Sequence, residues 1–268
     1  MCLQIERRVN SRRGLAYFNT LNQNRMRRVI DQWHSPALNK NMEIVGYGHY
    51  GFALLLLPTA AADYLEYERF QLIDAMAPMI EAGKLKVFSI NSINNESWLN
   101  SHIEPRHKAI RHTQFNDYVY NEVLPYIRTK CGDGTPIYSG GASFGALHAA
   151  NLFLKNPWAL NGCIAMSGDY DLTSYTKGYW DDDVYFNSPV HYLQNLTDEH
   201  TLNQIRSSGH VHVMTGSGDW EAPDASREFA AVLQGKGLPC DLDVWGQDIP
   251  HDWPSWRKML PYVLEAKF

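Results

Sequence analysis

Residues 52–57 read Phe-Ala-Leu-Leu-Leu-Leu and stop at Pro58. A short, unbroken apolar run of this kind is what a strand buried on both faces requires. Both-face burial calls for helices above and below the sheet, so the strand belongs in an α/β fold. The rest of the chain alternates accordingly. Strand-like segments cover Arg28–His34, Met42–Tyr47, Lys84–Ile90, Thr135–Tyr138, Leu160–Met166, Val211–Thr215 and Cys240–Trp245. Helical spacing covers Asp63–Ala82, with Pro78 as a kink or early stop and Gly83 as a C-cap. Further helices are predicted over Tyr118–Ile127, Phe144–Leu154, Asp224–Gln234 and Pro254–Glu265. The expectation is a mostly parallel central sheet with helices on both faces. Residues 168–198 are aromatic, acidic and irregular, and read as an excursion over one end of that sheet.

At 268 residues and 44% hydrophobic, the chain suits one domain with a sizeable core. No linker-like stretch divides it, so 28–268 is read as a single domain. Residues 1–27 are read as an arginine-rich extension packed on that domain or on a neighbouring subunit. Arg7, Arg8, Arg12, Arg13, Arg25 and Arg27 fall there, with Glu6 as the acid. The extension lacks the apolar segment of a secretory signal, and no apolar run approaches the roughly 20 residues of a membrane span. A net charge of −5 argues against nucleic acid as a partner. Cys2, Cys131, Cys163 and Cys240 show neither metal-ligand spacing nor a disulfide framework. These readings predict a cytoplasmic protein with no metal, no cofactor and no membrane or nucleic-acid partner, open to homo-oligomerisation.

Gly141-Ala142-Ser143-Phe144-Gly145 has the form G-x-S-x-G between a short strand and a helix. A nucleophile on so sharp a turn has strained backbone angles, and the residues two before and two after it nearly touch. Both are glycine here. Ser217, the nearest rival, has Thr215 and Asp219 at the same offsets. A serine hydroxyl needs a base, and the base needs an orienting acid. In this architecture they follow the serine as acid, then histidine, each beyond a strand end. His251 follows the last strand and is the expected base. Asp219 in Gly216-Ser-Gly-Asp219 is the expected acid, and Glu221, Asp224, Asp169 and Asp171 are its competitors. His148 is expected to point away from the turn, and His102, His107 and His112 to lie on the surface. Backbone N–H groups of Phe144 and Ala60, with Ala61 next, are the expected oxyanion donors. Of the aromatic residues in the surrounding loops, Tyr64, Trp98, Trp180 and Trp253 are candidates to line a substrate pocket, although such residues also serve to pack loops.

With these residues in hand, the chain resembles the esterase D-type branch of the α/β-hydrolases. That branch includes S-formylglutathione hydrolases, feruloyl and acetylxylan esterases, enterochelin esterases and mycolyltransferases. The resemblance runs from about Arg28 to Phe268. It rests on LLLLPTAAADYLEYE, INNESW, GGASFGALHAANL, DDDVYFNSPVHYLQNL, GSGDWE and PHDWPSWRKMLP. It implies the α/β-hydrolase fold, a triad of Ser143, Asp219 and His251, and oxyanion donors at Phe144 and Ala60. The implied activity is hydrolysis of a small acyl, aryl or carbohydrate ester through an acyl-enzyme. Acyl transfer by the same groups and a non-catalytic binding module are the competing readings. Many members carry His-Gly or Asp-Gly where this chain has Pro58-Thr59.

Overall fold

A computed structural model describes residues 26–268. Residues 1–25, and with them most of the arginine-rich extension, lie outside the described residues. One eight-stranded sheet has the order β1-β2-β4-β3-β5-β6-β7-β8. The strands are β1 (Arg28–Ser35), β2 (Lys40–Tyr47), β3 (Phe52–Leu57), β4 (Leu85–Ile90), β5 (Ile137–Ala142), β6 (Gly162–Met166), β7 (His210–Thr215) and β8 (Asp241–Val244). β2 runs antiparallel to both β1 and β4, and the pairs from β4 through β3 to β8 are parallel. All eight strands fall where the sequence pattern puts strands, with ends shifted by a residue or a few.

The apolar β3 run sits at the middle of this sheet, and it is buried on both sides. Ala53, Leu55 and Leu57 face one apolar layer with Phe115, Val119 and Phe153. Leu54 and Leu56 face the other, with Met76, Trp256 and Leu260. Each buried leucine contributes about 1.5–3 kcal/mol. A polar residue anywhere along β3 would therefore fall in one core or the other.

The long helices are α1 (Pro105–Tyr118), α2 (Phe144–Lys155), α3 (Glu199–Ser208), α4 (Pro223–Gly235) and α5 (Trp253–Lys267). α1 starts well before the expected Tyr118. It continues through one π-turn at Val119–Val123 into Leu124–Cys131. Pro125 lies just past that turn; its ring opposes the regular bonding pattern one turn back, which a π-turn relieves. The expected helix over Asp63–Ala82 is instead three short pieces, Glu66–Arg69, Leu72–Ala75 and Ala77–Glu81. Gln71 is left-handed, with φ 62°, and breaks the first from the second. Pro78 occupies the first turn of the third, where its missing N–H costs nothing. The segment 168–198 holds the short helices Thr173–Thr176, Asp182–Tyr185 and Pro189–Asn195. Among the described residues no helix is long and apolar enough to cross a membrane.

Candidate active site

Ser143 stands between the end of β5 and the first residue of α2, with φ 57° and ψ −123°. That conformation is costly for a residue with a side chain, and it persists because its surroundings fix it. The Ser143 N–H donates to the Met166 carbonyl at the end of β6 (2.9 Å). A Cβ on Gly141 would sit 2.4 Å from the Gly145 carbonyl carbon. One on Gly145 would sit 2.2 Å from the Leu57 carbonyl oxygen. Backbone meets backbone at both places, so only glycine fits. The sequence requirement for tiny flanking residues is thus a contact between β3, β5 and α2 directly beneath the serine.

Ser143 lines a cavity of about 160 Å³ with Phe144, Ser167, Gly168, Asp169, Tyr175, Trp220, Ala222 and His251. The expected nucleophile and base therefore share one cavity. The acid differs from expectation. Asp219 is exposed, and it meets His251 only through its backbone carbonyl, which accepts the His251 N–H (2.9 Å). The carboxylate beside the ring belongs to Glu221, whose Oε2 lies 3.3 Å from His251 Nδ1. The Glu221 side chain is 1% exposed. The Ser167 hydroxyl donates to Oε1 (2.6 Å), as does the Gly216 N–H (3.2 Å), and the Thr215 hydroxyl donates to Oε2 (3.2 Å). Burial acts to raise this carboxyl, but the hydrogen bonds from His251 and Ser167 outweigh it and hold the group below its ordinary range. Buried, ionised and fully hydrogen-bonded, Glu221 is placed to orient an imidazole.

The physical reason for the exchange lies in the backbone. Trp220 is left-handed, with φ 64°, inside a turn closed by the Glu221 N–H donating to the Gly218 carbonyl (3.2 Å). The turn sends Asp219 outward and brings Glu221 back under the sheet edge. Gly216 and Gly218 let the loop lie against the backbone at 247–249, where an added Cβ would meet the Ile249 carbonyl oxygen at 2.0 Å and the Gln247 carbonyl oxygen at 2.7 Å. Asp169 is on the cavity wall but has no bond to His251, while Asp171 and Asp224 do not line the cavity. Ser167, also left-handed (φ 52°), is a site residue that sequence reasoning misses, because no motif marks it. It ties Glu221 to the Trp256 indole, which donates to its hydroxyl (3.0 Å).

The pocket candidates do not line the cavity. Trp98 is 2% exposed, and its indole N–H donates to His112 (2.9 Å). Trp253 lies flat on Phe70, with centroids 4.4 Å apart, and edge-on to Trp256. Tyr64 packs against the layer containing Tyr67 and Trp253, and Trp180 sits edge-on to His191 (4.7 Å). Trp98 and Trp253 are enclosed, while Trp180 is 44% exposed. The aromatic wall comes instead from Phe144, Tyr175 and Trp220, the last 92% exposed. Desolvation in the cavity mouth pushes the Asp169 carboxyl up, and the nearby charges of Asp171 and Glu228 add to that. His112 also departs from expectation: it is fully buried, not on the surface. His148 does point away from the serine, as expected, and into the same buried group. A further pair, His212 with Asp241 (3.3 Å), lies in the first half of β7 and at the start of β8, and neither residue lines the cavity. Among the described residues, neither the Phe144 nor the Ala60 N–H has a protein acceptor.

No protein-family model matches the sequence, and no curated protein matches it. Solved structures do match. A ferulic acid esterase is 21% identical with a TM-score of 0.70, over 90% of this chain and 97% of that one. The S-formylglutathione hydrolase of Agrobacterium tumefaciens is 14% identical with a TM-score of 0.69, over 90% and 94%. The fluorophosphonate-binding serine hydrolase F of Staphylococcus aureus is 15% identical with a TM-score of 0.63, over 90% and 98%. The chain has the α/β-hydrolase fold, shared with these proteins along almost its whole length.

Proposed function

We propose that this chain is a serine carboxylesterase with Ser143 as nucleophile, His251 as base and Glu221 as orienting acid. One observation carries the reading: a serine on a strained strand–helix turn shares a cavity with a histidine whose Nδ1 faces a buried carboxylate. Glu221 accepts a hydrogen bond from the Nδ1–H of His251, which leaves Nε2 unprotonated and free to accept a proton. Ser143 Oγ attacks the ester carbonyl carbon as its proton passes to Nε2. The carbonyl oxygen takes the negative charge and is met by the Phe144 N–H at the N-terminus of α2 and by an N–H of the 58–62 loop, Ala60 or Ala61. Collapse of the intermediate expels the alcohol, which takes the proton from His251. Water then attacks the acyl-enzyme, giving its proton to Nε2, and the acid leaves as Ser143 is reprotonated.

The cavity is smaller than the roughly 300–1,000 Å³ of pockets that enclose drug-sized ligands, which suits a small acyl group. The ferulic acid esterase and the S-formylglutathione hydrolase that share the fold are consistent with acyl chemistry at such a site. Wild-type protein should hydrolyse p-nitrophenyl acetate or butyrate, and Ser143→Ala should lose at least about a thousandfold. A fluorophosphonate probe should label Ser143 and no other residue, as read by peptide mass spectrometry. Full activity in Ser143→Ala would end this reading. Product analysis with added alcohols distinguishes hydrolysis from acyl transfer.

A further inference from the structure

Behind the 58–62 loop lies a line of four buried polar side chains that the reaction above does not use. Trp98, His112, His148 and Asn94 are each no more than 2% exposed. Their hydrogen bonds have one possible direction. The Trp98 indole can only donate, so His112 Nδ1 accepts (2.9 Å). A neutral His112 then carries its proton on Nε2 and donates to His148 Nδ1 (3.1 Å). His148 in turn carries its proton on Nε2 and donates to Asn94 Oδ1 (3.1 Å). The Asn94 amide, its oxygen so occupied, donates through Nδ2 to the Ala60 carbonyl (2.9 Å). The Ser92 hydroxyl donates to the same carbonyl (2.7 Å), and the Ser92 N–H to the Ala62 carbonyl (2.9 Å).

The two ends of this line are informative. His148 is on α2, the helix that begins at Ser143. The other end is the carbonyl of the Ala60–Ala61 peptide, in the loop where the second oxyanion donor is expected. In a trans peptide the N–H points opposite to the C=O, so pinning the Ala60 carbonyl inward aims the Ala61 N–H outward and restrains the Ala60 N–H beside it. We propose that Trp98, His112, His148 and Asn94 are positioning residues: they register the oxyanion loop against the helix that carries the nucleophile. The inference rests on the esterase reading of the site. This chain has Pro58-Thr59 after β3, and Glu66 clamps Thr59 through both its N–H (2.9 Å) and its hydroxyl (2.6 Å). Glu66 thus secures the near side of Ala60, and the buried line secures its far side.

The line works only while both rings are neutral, because a proton on His112 Nδ1 would face the indole N–H. Burial pushes His148 down to about 3, and it pushes His112 down as well, helped by His148 and Lys155. The charged group acting on the rings is Lys155 on α2, which bears on His112. It is cationic and opposes protonation.

The test has two parts. In histidine-labelled ¹⁵N NMR of the wild-type chain, the rings assigned to His112 and His148 should remain neutral and Nε2-protonated from pH 5 to 9. In Trp98→Phe the Asn94 end still holds both rings Nε2-protonated, while the His112 Nδ1 resonance should move to that of a nitrogen without a hydrogen-bond donor. Then kcat is measured per active site, with sites counted by fluorophosphonate titration so that misfolded protein does not contribute. Asn94→Leu should lower kcat roughly 10- to 100-fold, short of the 10²- to 10³-fold lost when an oxyanion donor is removed outright. KM should stay within about twofold. Affinity for a boronic acid, whose adduct with the serine is tetrahedral, should fall by the same factor as kcat/KM. Ser92→Ala, which leaves the Asn94 bond in place, should lose only a few-fold in kcat and keeps the test available if Asn94→Leu does not fold. Nδ1–H on the His112 or His148 ring in the wild type, or wild-type kcat per site in Asn94→Leu, overturns the inference. If Asn94→Leu does not fold, an unmoved His112 Nδ1 resonance in Trp98→Phe together with unchanged kcat in Ser92→Ala does the same. A wild-type chain that hydrolyses no ester instead refutes the esterase reading beneath it.

Discussion

Replacing Glu221 by glutamine tests the assignment of the acid with almost no change in shape. In the native site Oε1 accepts from Ser167 and from the Gly216 N–H, two donors that fix an oxygen at that position. The glutamine amide must therefore turn its NH2 group toward His251, where Oε2 stood 3.3 Å from Nδ1. An N–H facing Nδ1 forces that nitrogen to accept, so the ring proton moves to Nε2, the atom that has to take the proton from Ser143. The variant folds but holds the wrong tautomer. Losses of about 10⁴ in kcat are typical of such a swap in a Ser-His-Asp triad, about 5.4 kcal/mol of transition-state stabilisation. The Thr215 hydroxyl, which donates to Oε2, can accept from the new NH2 and already reaches the Gly216 carbonyl at 3.1 Å, so the variant should fold and its fall in melting temperature should be limited to the loss of the Glu221 charge. Asp219→Asn is the control. Its contact with His251 is through the backbone carbonyl, which the substitution keeps, so kcat should change by less than about threefold, roughly 0.7 kcal/mol. Both are read from initial rates on p-nitrophenyl butyrate beside thermal melts. A larger loss in Asp219→Asn than in Glu221→Gln would refute the reasoning.

Three further outcomes follow from the same contacts. Glu221 has a lowered folded pKa, so its ionised form adds stability above the unfolded value of about 4.3, and that contribution disappears as pH falls through the folded value; the melting-temperature gap between wild type and Glu221→Gln should narrow below about pH 5, and a gap that widens would reverse the sign. Trp220→Gly should preserve or raise the melting temperature, because glycine adopts φ 64° freely, while raising KM for esters that reach the cavity wall; a cooperative loss of stability would show that the indole is structural. Trp253→Ala removes a ring stacked on Phe70 and edge-on to Trp256 and should cost about 3–5 kcal/mol in denaturant melts with KM unchanged; a selective rise in KM would restore it to the substrate pocket.

The strands are legible because burial on both faces leaves no polar residue to hide: the β3 run must be apolar whatever its neighbours are. The helical stretch 63–82 misleads because spacing records which residues face the core, not whether the backbone connecting them is continuous. Phe70 is largely exposed while Ile73, Met76 and Ile80 are buried, yet a left-handed Gln71 stands between the first helical piece and the second. Aromatic residues mislead for a related reason. Trp98 and Trp253 flank the right loops in sequence, but a large ring lowers its free energy most by being enclosed, and both point inward. Trp220 lines the cavity from a position that offers it little enclosure.

The proposed nucleophile and the proposed acid show where legibility ends. Ser143 announces itself because its conformation dictates the identity of its neighbours: the clash distances at Gly141 and Gly145 are between backbone atoms, and no other residue type relieves them. The acid imposes no such demand. A carboxylate needs only to reach Nδ1 and to be met by donors, and those donors come from Ser167 and Gly216, 54 and 5 residues away. Whether residue 219 or 221 meets them depends on the handedness of the one residue between, and Trp220 is an unusual choice for φ 64°, a conformation that glycine or asparagine adopts more readily. Sequence pattern favours a right-handed or extended tryptophan there, and in an extended segment Asp219 and Glu221 would point the same way and the nearer acid would be as good a choice. The turn makes them diverge. An acid at the end of β7 is therefore expected from the order of the elements, while its number is fixed by a backbone inversion that the local sequence disfavours and the packing of 216–221 against 246–251 holds in place.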